Sequence, residues 1–337
     1  MKKILLSAEE TGFKANLHCH TTVSDGDWTP ERVKEEYKKR GYSIVAYTDH
    51  DLMISHSELN DEKFLAMNGY EVEINEPAPK WGLGKVCHMC FVATTPEIKN
   101  HAFWNKEALN YTWGNAHELA KHAVNFDGNE PDFWREYSPE CISEMMKKAR
   151  EKGFFVTYNH PVWSMENYTN YTRYHGMHAM EIVNYSCVAS GYDEYNGRVY
   201  DDMLRAGERI FCIAADDNHN KKDGLDSFGG FTVIKAKKLD YALIGQALLN
   251  GCFYASEGPE IHSLWVEDGV VYITCSPVAT VSMQTGILKA GIVYPNGNEP
   301  LTQARFVLDP DQKYFRLTVT DDRGKRAFTN AYFIDEL

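Results

Sequence analysis

Short apolar runs separated by helical patterns occupy the first three quarters of the chain, and each run ends in residues able to do chemistry. Lys14-Ala15-Asn16-Leu17 leads to His18 and His20. Residues 30–40 read as a helix, with Thr29 as N-cap, Pro30 at the first position and Gly41 closing it. Tyr42-Ser43-Ile44-Val45-Ala46-Tyr47 then leads to Asp49 and His50, and Gly69-Tyr70 leads to Glu71 with Glu73 two further on. The run from Lys85 to Val92 carries His88 within it. A helix over 139–152 precedes Phe154-Phe155-Val156-Thr157-Tyr158, which runs into Asn159-His160-Pro161. A helix over 197–206 precedes Ile210-Phe211-Cys212-Ile213-Ala214-Ala215, which ends in Asp216, Asp217 and His219. Strand-then-helix units with polar chemistry at the strand C-termini describe a barrel or an open parallel sheet, and spacing alone does not separate the two.

From Gly229 the pattern changes. A last strand over 230–235 and a helix over 240–250 are followed by short alternating runs at 270–275, 280–283, 315–320 and 331–334, broken by Asp-Gly, Pro-Asn-Gly-Asn and Asp-Asp-Arg-Gly turns. This predicts a catalytic unit over 1–253 and a small antiparallel β-sandwich appendage over 254–337, expected to serve packing or partner contact. Residues 100–139 read as an insertion rich in aromatics: Phe103, Trp104, Tyr111, Trp113, Phe126, Phe133, Trp134 and Tyr137. That density suits a lid or pocket wall that sets specificity, and equally a small subdomain filling its own core.

Composition narrows the class. Hydrophobic residues at 43% and charged ones at 25% of 337 match an ordinary globular protein, and no apolar run is long enough to span a membrane. The formal charge of −13 lacks the basic footprint that nucleic-acid or anionic-membrane partners require, so a small molecule is the expected partner. The apolar stretch at Ile4-Leu5-Leu6 is too short for a signal peptide, and the eight cysteines sit mostly inside apolar runs. Both point to a reducing, cytoplasmic location. Cys87 and Cys90 have no second pair and would lie on opposite strand faces, which excludes a zinc ribbon.

On a strand, His18 and His20 share a face and Cys19 points away. Imidazoles mixed with carboxylates suit zinc, iron or manganese better than calcium. Glu73 and Asp216 compete with Glu71 and Asp217 for the role of ligand, and Asp49 and Asp51 are expected to orient metal-bound imidazoles. His101, His117 and His122 read as surface or packed histidines, and Arg173, Arg198, Lys221 and Lys222 as a solvated charged face.

These elements, in this order, closely resemble the polymerase and histidinol phosphatase (PHP) superfamily of metallohydrolases from about Phe13 to Phe253. Its His-x-His-(Thr/Ser)-x-x-Ser-Asp-Gly motif is matched by His18 through Gly26, and its Thr-Asp-His by Thr48-Asp49-His50. Gly69-Tyr70-Glu71, His88, His160-Pro161 and Asp217-Asn218-His219 match the remainder. The resemblance implies a distorted (β/α)7 TIM-like barrel with two or three divalent ions (zinc, manganese or iron) at its C-terminal face. One ion would take His18, His20, Glu71 and Asp217, a second Glu71, His88 and His160, and a third Asp25, His50 and His219. Catalysis would centre on Asp217, His219, Asp25 and His50, with a metal-bridging hydroxide attacking the phosphorus of a small phosphomonoester or phosphodiester. The segment Gly41 to Asp51 also resembles a branch containing carbamate-ester hydrolases, so carboxylic or carbamic ester hydrolysis is the second reading. A non-catalytic, metal-stabilised binding domain is the third.

Overall fold

The computed structural model describes the chain apart from residues 1, 104, 106–111, 113, 122–128 and 298, and without the side chain of residue 223. Seven strands lie side by side in chain order: Thr11–Asn16, Ile44–Tyr47, Leu65–Asn75, Val86–Ala93, Phe154–Asn159, Ala179–Asn184 and Phe211–Ala215. Apart from Thr11–Asn16, whose first residues are open, they are almost wholly buried, which is why they read as apolar runs with little alternation. Neighbours run parallel except on both sides of Val86–Ala93. That strand returns directly from Leu65–Asn75 through a hairpin over 76–85, and a hairpin can only join antiparallel strands.

Two of the longer helices start where the sequence supplies caps. Thr29 accepts from Arg32 N at the start of Pro30–Lys39, and Ser138 accepts from Cys141 N at the start of Pro139–Glu151. The second of these buries Ile142, Met145, Met146 and Ala149, an i, i+3, i+4, i+7 stripe packed on Phe154 and Val156. The fold is thus mixed α/β, with large sheets and seven α-helices among the described residues.

The two ends of the seven-strand row meet. Cys19 and Asn218 form a parallel bridge, His18 O accepts from Asp217 N at 2.9 Å, and Asn218 O accepts from His20 N at 3.0 Å. The chain leaving the first strand is therefore bonded to the chain leaving the last.

On its other side Thr11–Asn16 pairs antiparallel with Phe231–Ala236, which continues through Phe253–Ser256 and Arg326–Thr329 to Tyr314–Thr320, Thr280–Thr285 and Gly291–Val293. A separate four-stranded antiparallel sheet contains Lys2–Leu6, Ile261–Glu267, Val270–Val278 and Leu301–Val307. Ile261–Glu267 and Val270–Val278 alternate buried and open positions, and Leu264, Val271 and Ile273 meet Val281, Leu317 and Val319 in one core. Lys2–Leu6 is sequence-distant from its partner Ile261–Glu267, and position 253/254 lies inside the strand Phe253–Ser256. A buried ion pair ties this region to the helix Gly197–Ala206: Arg316 Nη2 lies 2.8 Å from Asp201 Oδ2, and Arg316 Nε 2.9 Å from Asp201 Oδ1.

Candidate metal centre

Ten side chains converge where the strands end. Four overlapping groups have ligand atoms within 4.8 Å of one another: His18, His20, Glu71 and Asp217; Glu71, His88 and His160; His20, Asp25, His50 and His219; and His18, His160 and Glu181. Glu71 sits at the hub. Its Oε1 is 3.2 Å from His18 Nε2, 2.9 Å from His88 Nδ1 and 3.2 Å from His160 Nε2, and its Oε2 is 3.3 Å from His20 Nε2 and 3.2 Å from His50 Nδ1. Asp217 Oδ1 lies 3.1 Å from His18 Nε2 and 3.0 Å from His20 Nε2. Asp25, at the mouth, is 3.4 Å from His219 Nε2 and 3.8 Å from His50 Nε2.

Backbone strain is held at two of these positions. Asp217 has φ 53° and His160 φ 26°, in the region L-residues avoid, and Asp217 is kept there by its N–H bond to His18 O.

The electrostatics call for positive charge. Burial works against a charged His20, yet Asp217 and Glu71 beside it push it up to about 10. Burial likewise opposes charge on His88, and Glu71 and Glu73 push it up to about 10. Burial also raises Glu71 and Asp217, but the imidazoles around them hold both carboxyls below their usual range. His50 is driven down to about 4 by burial and by His20, and His219 is lowered by the same causes, which leaves both as neutral imidazoles. His20 Nδ1 is buried without a hydrogen-bond partner, and the Nε2 atoms of His18 and His20 stand 3.2 Å apart. Convergent nitrogen and carboxylate oxygen donors with an orphaned buried nitrogen fit borderline divalent ions, which would replace the protons now implied.

Neither Glu73 nor Asp216 belongs to the groups. Glu73 stands beyond His88, its Oε2 3.6 Å from Nε2. Asp216 turns outward to accept from Phe228, Gly229 and Gly230 N–H and from the Tyr37 hydroxyl, with burial pushing it up to about 6.

The expectation for Asp49 and Asp51 is corrected. Asp49 accepts from Thr21 N, Thr21 Oγ1, Ser24 N and Ser24 Oγ, so it shapes the loop that carries Asp25. Asp51 pairs with Arg135 and with His101, which lies outside the cluster. Both flank His50 in sequence, and Asp51 turns away with a left-handed backbone, φ 50°. A carboxylate that does meet a clustered imidazole closely is Glu181, whose Oε1 lies 2.7 Å from His18 Nδ1. Its sequence signal is a single acid inside Ala179-Met180-Glu181-Ile182-Val183, a fully buried strand.

A cleft of about 830 Å³ opens onto the cluster. Its walls come from the 76–85 hairpin, including Lys80, Trp81 and Lys85, from Trp163 and Met165 after His160, and from Ser186 and Tyr192 after Asn184. Trp163 meets His88 and His160 edge-on, at 5.4 and 5.1 Å between ring centres. No described residue of 100–139 lines the cleft. Phe103 packs into the core against Phe91 and Phe133, His101 stacks on Tyr70, and Asn115 bonds Ser24 O and Thr22 O. The insertion thus braces the Asp25 loop from outside. Trp104, Tyr111, Trp113, Phe126 and His122 lie outside the described residues. Arg173 and Arg198 pair with Glu140 and Asp202 at the surface, and Lys221 reaches Asp25 O and Asp27.

Among the described residues no helix is long and apolar enough to cross a membrane. No family model and no curated protein matches the sequence. Among solved structures, the chain is similar to a two-domain protein containing a predicted PHP-like metal-dependent phosphoesterase from Bacteroides vulgatus, at 15% identity over 97% of this chain and 98% of that one, with a TM-score of 0.46. It is also similar to a putative metal-dependent phosphoesterase from Bifidobacterium adolescentis (17% identity, 63% of this chain and 90% of that one, TM-score 0.39). A third is an amidohydrolase from Chromobacterium violaceum with bound sulfate (16% identity, 62% of this chain and 89% of that one, TM-score 0.38).

Proposed function

We propose that this protein is a metal-dependent hydrolase that cleaves a small phosphomonoester or phosphodiester. The observation that carries the reading is a set of overlapping donor groups, two linked through Glu71 and two through His20, because overlapping groups would allow ions to sit side by side. His18, His20, Glu71 and Asp217 would hold one ion, Glu71, His88 and His160 a second, and Asp25, His50 and His219 a third. Zinc, manganese and iron all suit these donors. Divalent ions in such a centre supply Lewis acidity toward a phosphoryl oxygen and lower the pKa of water. Asp217 and Glu71 set the charge of the floor, His50 and His219 remain neutral and able to donate a lone pair, and Asp25 stands where the cleft meets solvent. In the same reading the seven strands form a distorted (β/α)7 barrel, closed through the Cys19–Asn218 bridge, with residues 254–337 as an appended β domain and a cytoplasmic location.

Carboxylic or carbamic ester hydrolysis is the second reading, favoured by one observation: among the described residues the cleft is lined by Glu73, Glu76 and two lysines but no arginine, a poor setting for a highly charged phosphoryl group. Assays of p-nitrophenyl phosphate, bis(p-nitrophenyl) phosphate and p-nitrophenyl acetate with manganese, iron or zinc test both. Metal-dependent release from either phosphate ester, lost in Asp217→Ala, supports the first reading. Release from the acetate alone supports the second, and ion binding without turnover of any ester reduces the protein to a binding domain.

A further inference from the structure

We infer that Glu181 is a positioning residue of the metal centre, locking His18, His160 and Asp217 in one arrangement without itself ligating an ion. The inference rests on the reading that ions bind here. Glu181 is fully buried, between the core residues Met180 and Ile182. Its Oε1 takes His18 Nδ1 at 2.7 Å, and its Oε2 accepts from His160 N at 3.0 Å and from Asn184 Nδ2 at 2.9 Å. The same Asn184 amide donates to Asp217 Oδ2 at 3.1 Å. One carboxylate therefore touches His18 by side chain, His160 by backbone and Asp217 through one amide.

A neutral imidazole carries a single N–H, and a buried carboxylate at hydrogen-bond distance decides which nitrogen holds it. Asn159 Nδ2 also approaches His18 Nδ1, but at 3.3 Å, and it is already 2.9 Å from Cys90 Sγ. With the proton fixed on Nδ1, the His18 Nε2 lone pair faces Glu71 and Asp217. Glu181 also falls in a possible donor group with His18 and His160, but each of its oxygens already faces a protein donor, and in this inference the group acts through His18, not on an ion directly.

Glu181→Gln tests this in the full-length chain. Gln has the same shape, but its NH2 must face either His18 Nδ1–H or the His160 and Asn184 donors, so one donor meets another in either orientation. Loss of such an orienting partner weakens metal binding by about 10- to 100-fold. Zinc titration against a chromophoric chelator should show that loss, with the number of ions at saturation unchanged and the far-UV circular dichroism of wild type. Glu181→Asp, which keeps two acceptor oxygens, should lose less than Gln. The Co(II) absorption spectrum should also shift in the Gln variant, a change that loss of packing alone does not produce. Equal affinity in wild type and Glu181→Gln overturns the inference, as does loss of one bound ion at saturation, which would make Glu181 a ligand. Should Glu181→Gln not fold, Asn184→Ala carries the test: weaker binding at unchanged stoichiometry supports the inference and unchanged affinity overturns it. A wild-type chain that binds no ion overturns the parent reading instead.

Discussion

Replacing Arg316 by Met breaks the pair that fastens the C-terminal strands to the back of the metal-centre layer. Arg316 is 5% exposed and Asp201 8%, so neither charge can turn to solvent. The guanidinium makes two bonds to the carboxylate, at 2.9 and 2.8 Å, and the Tyr314 hydroxyl adds one at 3.1 Å. Met fills much of the side-chain volume and leaves Asp201 with a single neutral donor among those three. Stranding one member of a buried pair costs about 3–5 kcal/mol. Unfolding entropy of about 2.1 cal/mol/K per residue over 337 residues converts that cost into a Tm lower by about 4–7 °C. Urea titrations followed in parallel by near- and far-UV circular dichroism measure it, and coincident curves license a two-state fit. The double variant Arg316→Met, Asp201→Leu should recover most of the loss, because no charge is then stranded. A single variant that loses less than about 1 kcal/mol, the value of an exposed pair, refutes the argument.

Three further outcomes are expected. Asp217→Asn or His18→Ala should bring metal-dependent turnover to background while circular dichroism shows a folded chain; full residual activity in either contradicts the centre. In metal-free protein the raised His20 and His88 contribute stability that is complete below about 6.5, the ordinary histidine value, and lost as pH climbs toward 10. The lowered Glu71 and Asp217 contribute stability present above about 4 and lost as pH falls. The urea midpoint in chelator should therefore be higher at pH 6 than at pH 9, and a midpoint rising over that interval counts against the charge arrangement. Gly245→Ala should destabilise by about 1–3 kcal/mol despite the better helix propensity of Ala, because the new methyl would stand 2.0 Å from Thr94 O; a stabilised variant would show that this helix can shift.

Legibility in the sequence followed how local each signal is. His18, His50, His160 and Asp217 stand at or just past the ends of apolar runs, and such a run with its polar terminus is a contiguous pattern, so the placement of these side chains at successive strand ends could be read directly. The mixed α/β character followed from the same runs. Glu71 and Glu73 could not be separated that way, since residues two apart share a strand face; motif register favoured Glu71, and the approach of His18, His20 and His160 distinguishes it in the fold. Glu181 gave no motif, because its partners lie about 20 and about 160 positions away. The pairing of Lys2–Leu6 with Ile261–Glu267 was hidden for the same reason. Aromatic density left two readings of 100–139 open, a pocket wall or a core; Phe103 and Phe133 pack into the core, and composition does not say which side of the strands such residues fill.

Metal analysis of the purified full-length chain, paired with p-nitrophenyl phosphate turnover as ions are removed and restored, tests the central claim most directly. The account predicts two or three divalent ions per chain and turnover that disappears with chelation and returns with occupancy. Fewer than one ion per chain after incubation with excess manganese, zinc or iron, or turnover that survives chelation, would contradict it.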